Sequence, residues 1–108
     1  MANTIDIISK EWFDKVNGNS YFAGTITVDY ETETEETFLM PFQYGYGSQH
    51  EQEAKSILTQ FNKISSNWNQ SLYSYCKENN IKFCSSIQTE CKQKELKEIE
   101  NEYNRNLN

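Results

Sequence analysis

Residues 21–30 divide into two alternating sets of side chains, and this period of two constrains the fold more than any other feature of the sequence. One set comprises Phe22, Gly24, Ile26, Val28 and Tyr30, and the other comprises Tyr21, Ala23, Thr25, Thr27 and Asp29. Successive side chains of a β-strand point to opposite faces, so the larger apolar set is expected to face a core. The pattern predicts a strand in a sheet with one covered face.

Similar patterns on either side predict two neighbouring strands. Residues 4–8 are rich in β-branched side chains and predict a first strand, which Asn17 and Gly18 follow as a tight turn. Residues 37–44 predict a third strand, because apolar side chains alternate there as well. The side chains expected on its apolar face are Phe38, Met40, Phe42 and Tyr44. Pro41 cannot donate a ladder hydrogen bond, so this strand is predicted to lie at an edge or to bend there.

The helical segments are marked by apolar residues spaced three and four apart. Ser48 and Glu51 match a capping box, in which the two side chains accept hydrogen bonds from each other's backbone, and they predict a helix start. The apolar stripe that follows consists of Ala54, Ile57, Leu58, Phe61 and Ile64. A second helix is predicted to begin near Trp68 and to end near Asn79.

The remaining chain completes the predicted order β-β-β-α-α-β-α. Residues 81–91 alternate again and predict a fourth strand, and residues 92–108 predict a highly charged C-terminal helix. This order predicts an α+β fold with an antiparallel sheet of three to four strands, helices packed on one face, and the fourth strand at an edge. The whole chain, residues 1–108, fits a single domain. The terminal helix is marginal alone, so fraying and docking on a partner stay open as alternatives.

The charge balance limits the classes of partner. Sixteen acidic and ten basic side chains give a net charge of −6, whereas nucleic-acid-binding proteins carry an excess of Lys and Arg. We therefore expect no direct nucleic-acid binding and favour a protein partner with a basic surface. The three cysteines are an odd number, which argues against a disulfide framework. No apolar run reaches the roughly 20 residues that span a bilayer, so we expect a cytoplasmic protein without membrane attachment.

The aromatic–glycine segment at residues 42–48 has two interpretations. Gly45, Gly47 and Ser48 precede a predicted helix N-terminus, where backbone N–H groups can bind an anion. A dinucleotide-binding fingerprint is not matched, because His50 stands where its third glycine is required. The favoured interpretation is a structural turn whose glycines permit the bend, and anion binding is the alternative.

An acidic segment and three tyrosines form the predicted protein-binding set. Five acids fall within eight positions that contain no basic residue: Asp29, Glu31, Glu33, Glu35 and Glu36. A docking surface for a basic protein is the functional interpretation, and a solvated loop that blunts a sheet edge is the alternative. Tyr21, Tyr44 and Tyr46 join the set, because amphipathic rings are enriched at interface hot spots.

Neither catalysis nor metal binding has a clear sequence signature. His50, the single histidine, falls in the first turn of a predicted helix, and we expect it at the protein surface. Cys84 and Ser86 are the candidate nucleophiles for such a histidine, but no local motif surrounds them. The cysteines lack the short spacings that zinc sites favour. We expect no enzymatic activity, no cofactor and no metal.

Three segments carry a resemblance to a known family. They are WFDKVNGNSYF at residues 12–22, FQYGYG at residues 42–47 and YCKENNIK at residues 75–82. In these segments the chain resembles a family of small uncharacterised bacteriophage proteins. The resemblance extends over roughly residues 4–98, and it implies a viral gene product that acts in the cytoplasm of a bacterial host.

The resemblance leads to a functional hypothesis by analogy. Small phage proteins without catalytic motifs often bind host proteins, so the leading hypothesis is a non-enzymatic accessory protein that inhibits a host protein. An antiviral defence system, such as CRISPR, restriction or cyclic-nucleotide signalling, is the expected target. The alternatives are a nucleotide-signal sponge and a virion or assembly component. A homodimer through the Pro41 edge or the last helix stays open.

Overall fold

In the part of the chain that the structure describes, the protein folds into four strands and three helices, in the order predicted from the sequence. The computed structural model describes residues 3–65 and 71–106. The elements are β1 (Thr4–Asp14), β2 (Asn19–Val28), β3 (Glu36–Tyr44), α1 (Gln49–Gln60), α2 (Leu72–Glu78), β4 (Lys82–Gln88) and α3 (Gln93–Asn106). The predicted helix start at Trp68 lies outside the described residues. Among the described residues, none of the helices has the length and hydropathy needed to span a bilayer.

The four strands form one mixed sheet in the order β3-β2-β1-β4. Two antiparallel hairpins join β1, β2 and β3, whereas β4 pairs in parallel with β1. The helical connection through α1 and α2 carries the chain back along the sheet, so that β4 starts beside the start of β1. There the Lys82 N–H donates to the Asn3 carbonyl at 3.0 Å. The α+β class and the edge position of β4 are confirmed, and the sheet is antiparallel in all but this last pair.

The helices lie on both faces of the sheet. On one face α1 and α2 cover the main core, whose largest fully buried side chains are Ile5, Ile7, Phe22, Ile26, Met40 and Leu58. On the other face α3 covers a smaller cluster built from Ala23, Cys91 and Leu96. The prediction of helices on one face therefore holds for α1 and α2 and is wrong for α3. The cause is a second apolar stripe on the other side of β2, where Tyr21 and Ala23 also need cover.

A β-bulge in β3 changes which of its residues face the main core. Gly24 pairs with Met40, but Phe22 pairs with Gln43, so β3 carries one extra residue in between. Past the bulge the alternation inverts, and Phe42 packs in the cluster beneath α3. The predicted common face for residues 38–44 is wrong beyond Pro41. Of the two alternatives for Pro41, an edge position or a bend, the edge position is confirmed.

The predicted capping box does not form at the start of α1. Ser48 is the N-cap residue, but its side chain makes no cap hydrogen bond. The Glu51 carboxylate instead accepts a hydrogen bond from the Ser85 hydroxyl on β4 at 2.8 Å. The Gln49 side-chain oxygen accepts the Tyr46 N–H at 2.8 Å and fastens the turn before the helix. Tertiary contacts have replaced the local cap that the sequence predicts.

The charged C-terminal helix is docked on the sheet. The Leu96 side chain is fully buried, at 0% exposure. The first turn of α3 is closed by the Glu95 carboxylate, which accepts the Lys92 N–H at 2.6 Å. Near its end, the Tyr103 hydroxyl donates to the Thr37 carbonyl at 3.2 Å. These contacts make the helix part of the fold, which neither of the two alternatives left open by the sequence, fraying and docking on a partner, describes.

Candidate interaction surfaces

The connection between β2 and β3, residues 29–36, is called the acidic turn here, and Asp29 organises it. Asp29 has a left-handed backbone with φ 55 and a side chain that is 7% exposed. Its carboxylate accepts the Asn3 N–H at 2.6 Å and the Thr34 hydroxyl at 2.9 Å. The hydrogen bond from the Asn3 backbone, together with that from the Thr34 hydroxyl, holds the pKa of Asp29 below its usual value. Asp29 therefore supports the turn from inside rather than contacting a partner.

The other four predicted acids of the turn are exposed. Glu35 accepts the Glu31 N–H at 2.7 Å, which closes a loop within the turn. Glu36 forms an ion pair with Lys63, beyond the end of α1. Glu35 and Glu36 thus have partners inside the protein, and Glu31, Glu33 and Glu35 give the tip of the turn its negative charge.

Tyr30 joins the acidic turn, although its alternation with Phe22 and Val28 predicts a core position. β2 ends at Val28, and the left-handed Asp29 turns the next side chain outward, so Tyr30 is 58% exposed. The charge of Glu31 and a hydrogen bond to it raise the pKa of the Tyr30 hydroxyl, with further contributions from burial, Glu35 and Asp6. The positive φ of Asp29 could not be read from the alternation, because Asp takes this conformation only in particular contexts.

A groove of about 410 Å³ opens beside Tyr30 on the α3 face of the sheet. We call it the open groove; its lining residues are Asp6, Ile7, Ile8, Thr27, Tyr30, Cys84, Ser85 and Ser86. Asp6 pairs with Thr27 on β2 and with Cys84 on β4, so these side chains share a face. Ile8 is 61% exposed there, and with the exposed Tyr30 ring it gives the lining an apolar patch. Tyr30 belongs to the acidic turn and also lines the open groove, so the two form one continuous surface.

The predicted tyrosines lie at the opposite end of the sheet. β3 runs from Glu36 to Tyr44, and at about 3.3 Å per residue the two ends are about 26 Å apart. Tyr44 and Tyr46 are exposed. Tyr21 is instead half-buried and stacks on Phe42 at a ring distance of 5.2 Å. The structure therefore does not bring the predicted acids and tyrosines together into one surface.

The backbone of the glycine turn is largely engaged inside the protein. The Gly45 N–H donates to the Ser20 carbonyl at 3.0 Å, and the Tyr46 N–H donates to the Gln49 side chain. A Cβ atom on Gly45 would lie 2.6 Å from the Phe22 ring, so this glycine allows a close approach between chain and core. Of the three predicted anion-binding residues, Gly45 already uses its N–H inside the protein, which favours the structural interpretation at that residue.

His50 is buried, so the predicted surface position is wrong. Its side chain is 4% exposed; Nδ1 donates to the Gly47 carbonyl at 2.9 Å, and Nε2 lies 3.2 Å from the Ser85 hydroxyl. Together with the bond from Ser85 to Glu51, this network fastens the start of α1 to β4. A signal was present in the sequence, because His50 precedes Ala54 and Leu58 at spacings of four on the buried stripe.

The network places Ser85 beside His50. Neither of the candidate nucleophiles predicted from the sequence, Cys84 and Ser86, takes part in it. Cys84 and Ser86 pair with residues of the opposite face of β1 and line the open groove. The Ser85 hydroxyl donates to Glu51, and a buried imidazole offers little access to a substrate. The geometry is that of a clamp between two elements. Within residues 3–65 and 71–106, no group of three or more His, Cys, Asp or Glu side chains is arranged to hold a metal ion.

Similarity to known proteins adds no further constraint on these surfaces. Comparison of the chain with protein-family models, curated proteins and solved structures finds no match in any of the three. The candidate binding surface is therefore defined by the acidic turn, Tyr30 and the open groove.

Proposed function

We propose that this protein is a non-enzymatic bacteriophage accessory protein, which binds and inhibits a host protein that has a basic surface. The expected target is a component of an antiviral defence system in the host cytoplasm. The phage context comes from the sequence resemblance. The binding role is carried by one observation: the acidic turn and the open groove form a continuous surface at one end of the sheet.

The acidic turn suits long-range attraction of a basic partner. Glu31, Glu33 and Glu35 are exposed and close together, and the net charge of the chain is −6. Such a field raises the association rate with a positively charged surface and weakens as salt is added. The hydrogen bonds of Asp29 hold the turn in one conformation, so less conformational entropy is lost when a partner binds.

A nucleotide sponge receives less support. It would require free N–H groups at the glycine turn, and that of Gly45, one of the three predicted anion-binding residues, already donates to the Ser20 carbonyl. No basic side chain is among the residues that line the open groove. A phosphate would therefore meet carboxylates there instead of the cations that usually neutralise it.

The partner can be identified by affinity capture from infected host cells with the tagged full-length chain, followed by mass spectrometry. The charge mechanism is then tested on the purified pair. We expect Glu33→Lys to weaken binding about tenfold at low salt, and the wild-type affinity to fall as salt rises.

Glu90→Lys is the matched control. Glu90 is an exposed loop residue after β4, away from the acidic turn, and its replacement changes the net charge by the same amount. It should alter the affinity less than threefold. Equal weakening by the two variants would mean that net charge alone acts, and unchanged binding by Glu33→Lys would remove the acidic turn from the interface.

A further inference from the structure

We infer that the open groove receives an apolar side chain from a short extended segment of the partner, and that basic residues of that segment contact the surrounding acids. This inference rests on the proposed function, because it names the part of a basic partner that the surface recognises. It goes further in assigning an anchor site on the sheet face, away from the charged turn itself.

The groove has the apolar floor that an anchor side chain needs. Ile8 projects from the central strand β1 and is 61% exposed, and Tyr30 borders the same groove with 58% exposure. Thr27, Cys84 and Ser86 add small side chains, which leave room above the sheet. A volume of about 410 Å³ exceeds what one Leu or Ile side chain occupies, so the anchor fits together with adjacent backbone.

The charges around this floor define the residues that flank the anchor. Asp6 lies within the lining, and Glu31 and Glu35 act on the Tyr30 hydroxyl beside it. Apolar centres with charged rims are typical of protein interfaces. In an extended segment, side chains two positions apart point the same way and are about 7 Å apart. Lys or Arg at these positions can reach the acids while the central side chain enters the groove.

The position of β4 explains why the partner segment should be extended. β4 is the edge strand on this side of the sheet, and it contributes Cys84 and Ser86 to the groove. An edge strand presents unpaired backbone groups on its outer side, and extended peptides commonly pair with such edges. A segment aligned with β4 would present alternate side chains to the groove.

A second copy of this chain is the less favourable occupant. A symmetric dimer places the same surface patch of each copy against the other. The acids at Asp6, Glu31 and Glu35 would then face those of the other copy, and such like-charge contacts are destabilising. Charge complementarity therefore favours a basic segment of another protein.

The experiment uses two terminally blocked peptides of equal charge, KSKSLSKSK and KSKSSSKSK, each labelled with a fluorophore at the N-terminus. Binding to the full-length protein is measured by fluorescence anisotropy at low salt. We expect the leucine peptide to bind at least fivefold more tightly than the serine peptide. Ile8→Thr keeps a β-branched side chain in the strand and should abolish this preference. Val16→Thr, at an exposed apolar residue of the β1–β2 turn, should preserve it.

The reactivity of the Cys84 thiol, which lines the open groove, reports whether the peptide binds there. Cys84 is exposed, whereas Cys76 and Cys91 are buried, and burial raises the pKa of Cys76 to about 11. N-ethylmaleimide should therefore modify Cys84 first in the folded protein. We expect the leucine peptide to slow this reaction and the serine peptide to leave it nearly unchanged at the same concentration.

The outcomes separate this inference from the proposed function. Equal binding of both peptides, with Glu33→Lys weakening both, would overturn the groove as an anchor site and leave the acidic turn as the binding surface. Failure of both peptides to bind at low salt would overturn the inference. It would also be overturned if Cys84 in the free protein reacted as slowly as Cys76, because the groove would then already be covered. Protection of Cys84 that grows with protein concentration would instead identify a second copy as the occupant.

Discussion

At the scale of single residues, Asp29 connects the sheet to the surface that we propose for binding. Its carboxylate accepts N–H groups at the start of β1 and a hydroxyl within the acidic turn, and its positive φ ends β2. The same residue therefore fixes the turn in place and directs Tyr30 outward. Its position within a run of acidic residues predicts a contact residue, whereas its hydrogen bonds in the structure assign it a structural role.

Asp29→Asn tests this role, because Asn also tolerates a left-handed backbone but carries no charge. Hydrogen bonds to a charged group contribute more than neutral ones, so we expect the free energy of unfolding at pH 7 to fall by about 1–2 kcal/mol. The pKa of Asp29 is lowered in the folded protein. Its ionised form therefore adds stability at neutral pH, and this contribution is lost as the pH falls below about 4.

Urea unfolding of the wild type and the variant at several pH values measures the difference. It should be largest near neutral pH and should shrink in acid, where Asp29 of the wild type becomes protonated. Glu33→Gln is the control, since Glu33 is an exposed acid of the same turn. A difference between Asp29→Asn and the wild type that stayed constant across this pH range would contradict the role of the charge.

At the scale of elements, α1 is fixed to the sheet by its first turn. His50, Glu51 and Ser85 form a hydrogen-bonded network between α1 and β4, although His50 and Ser85 are 35 residues apart in the chain. These contacts position the helix at the parallel edge of the sheet. The network also explains why the local capping box is absent, because Glu51 has turned toward β4.

A double-mutant cycle measures the interaction energy between His50 and Ser85 in this network. We expect His50→Ala to lower the free energy of unfolding by about 2 kcal/mol, because a buried, hydrogen-bonded side chain is lost. Ser85→Ala should cost about 1 kcal/mol. The two effects should be non-additive by at least about 0.5 kcal/mol, since the side chains are in contact.

Ser86→Ala is the control for this cycle, because Ser86 lies on the other face of the same strand. It should cost less than about 0.5 kcal/mol and should add independently to His50→Ala. Strict additivity of His50→Ala and Ser85→Ala would show that the two side chains do not act as a unit.

At the scale of the whole molecule, one sheet supports two apolar clusters. The main core lies under α1 and α2, and the cluster of Ala23, Cys91 and Leu96 lies under α3. Phe22 and Ala23 are neighbours on β2 but belong to different clusters. Because each cluster needs the same strands, we expect the molecule to unfold in one cooperative transition.

Leu96→Ala tests the coupling between the clusters. Removal of this fully buried side chain should cost about 2–4 kcal/mol. The transitions followed by far-ultraviolet circular dichroism and by aromatic fluorescence should move together to lower urea concentration. Val16→Ala, at the exposed β1–β2 turn, is the control and should leave the midpoint nearly unchanged. An early loss of helical signal with the remaining transition unmoved would instead mean that α3 frays independently.

The sequence by itself determined the elements and their order. The elements could be predicted because they depend on local features of the chain. The period of two in residues 21–30 predicts a strand, the spacing of three and four after Ser48 predicts a helix, and the missing N–H of Pro41 predicts an edge strand. For the same reason the α+β class and the edge position of β3 could be predicted from the sequence.

The tertiary structure decided which face each element covers and which residues meet. The bulge near Pro41 inverts the rest of β3, the opposite face of β2 recruits α3, and α1 uses His50 to reach Ser85. Each outcome depends on contacts between distant parts of the chain, so no local pattern specifies it. The open groove is of the same kind, because Ile8, Tyr30 and Cys84 come from three separate segments. They share a surface because β4 pairs with β1 and Asp29 turns the chain outward after β2.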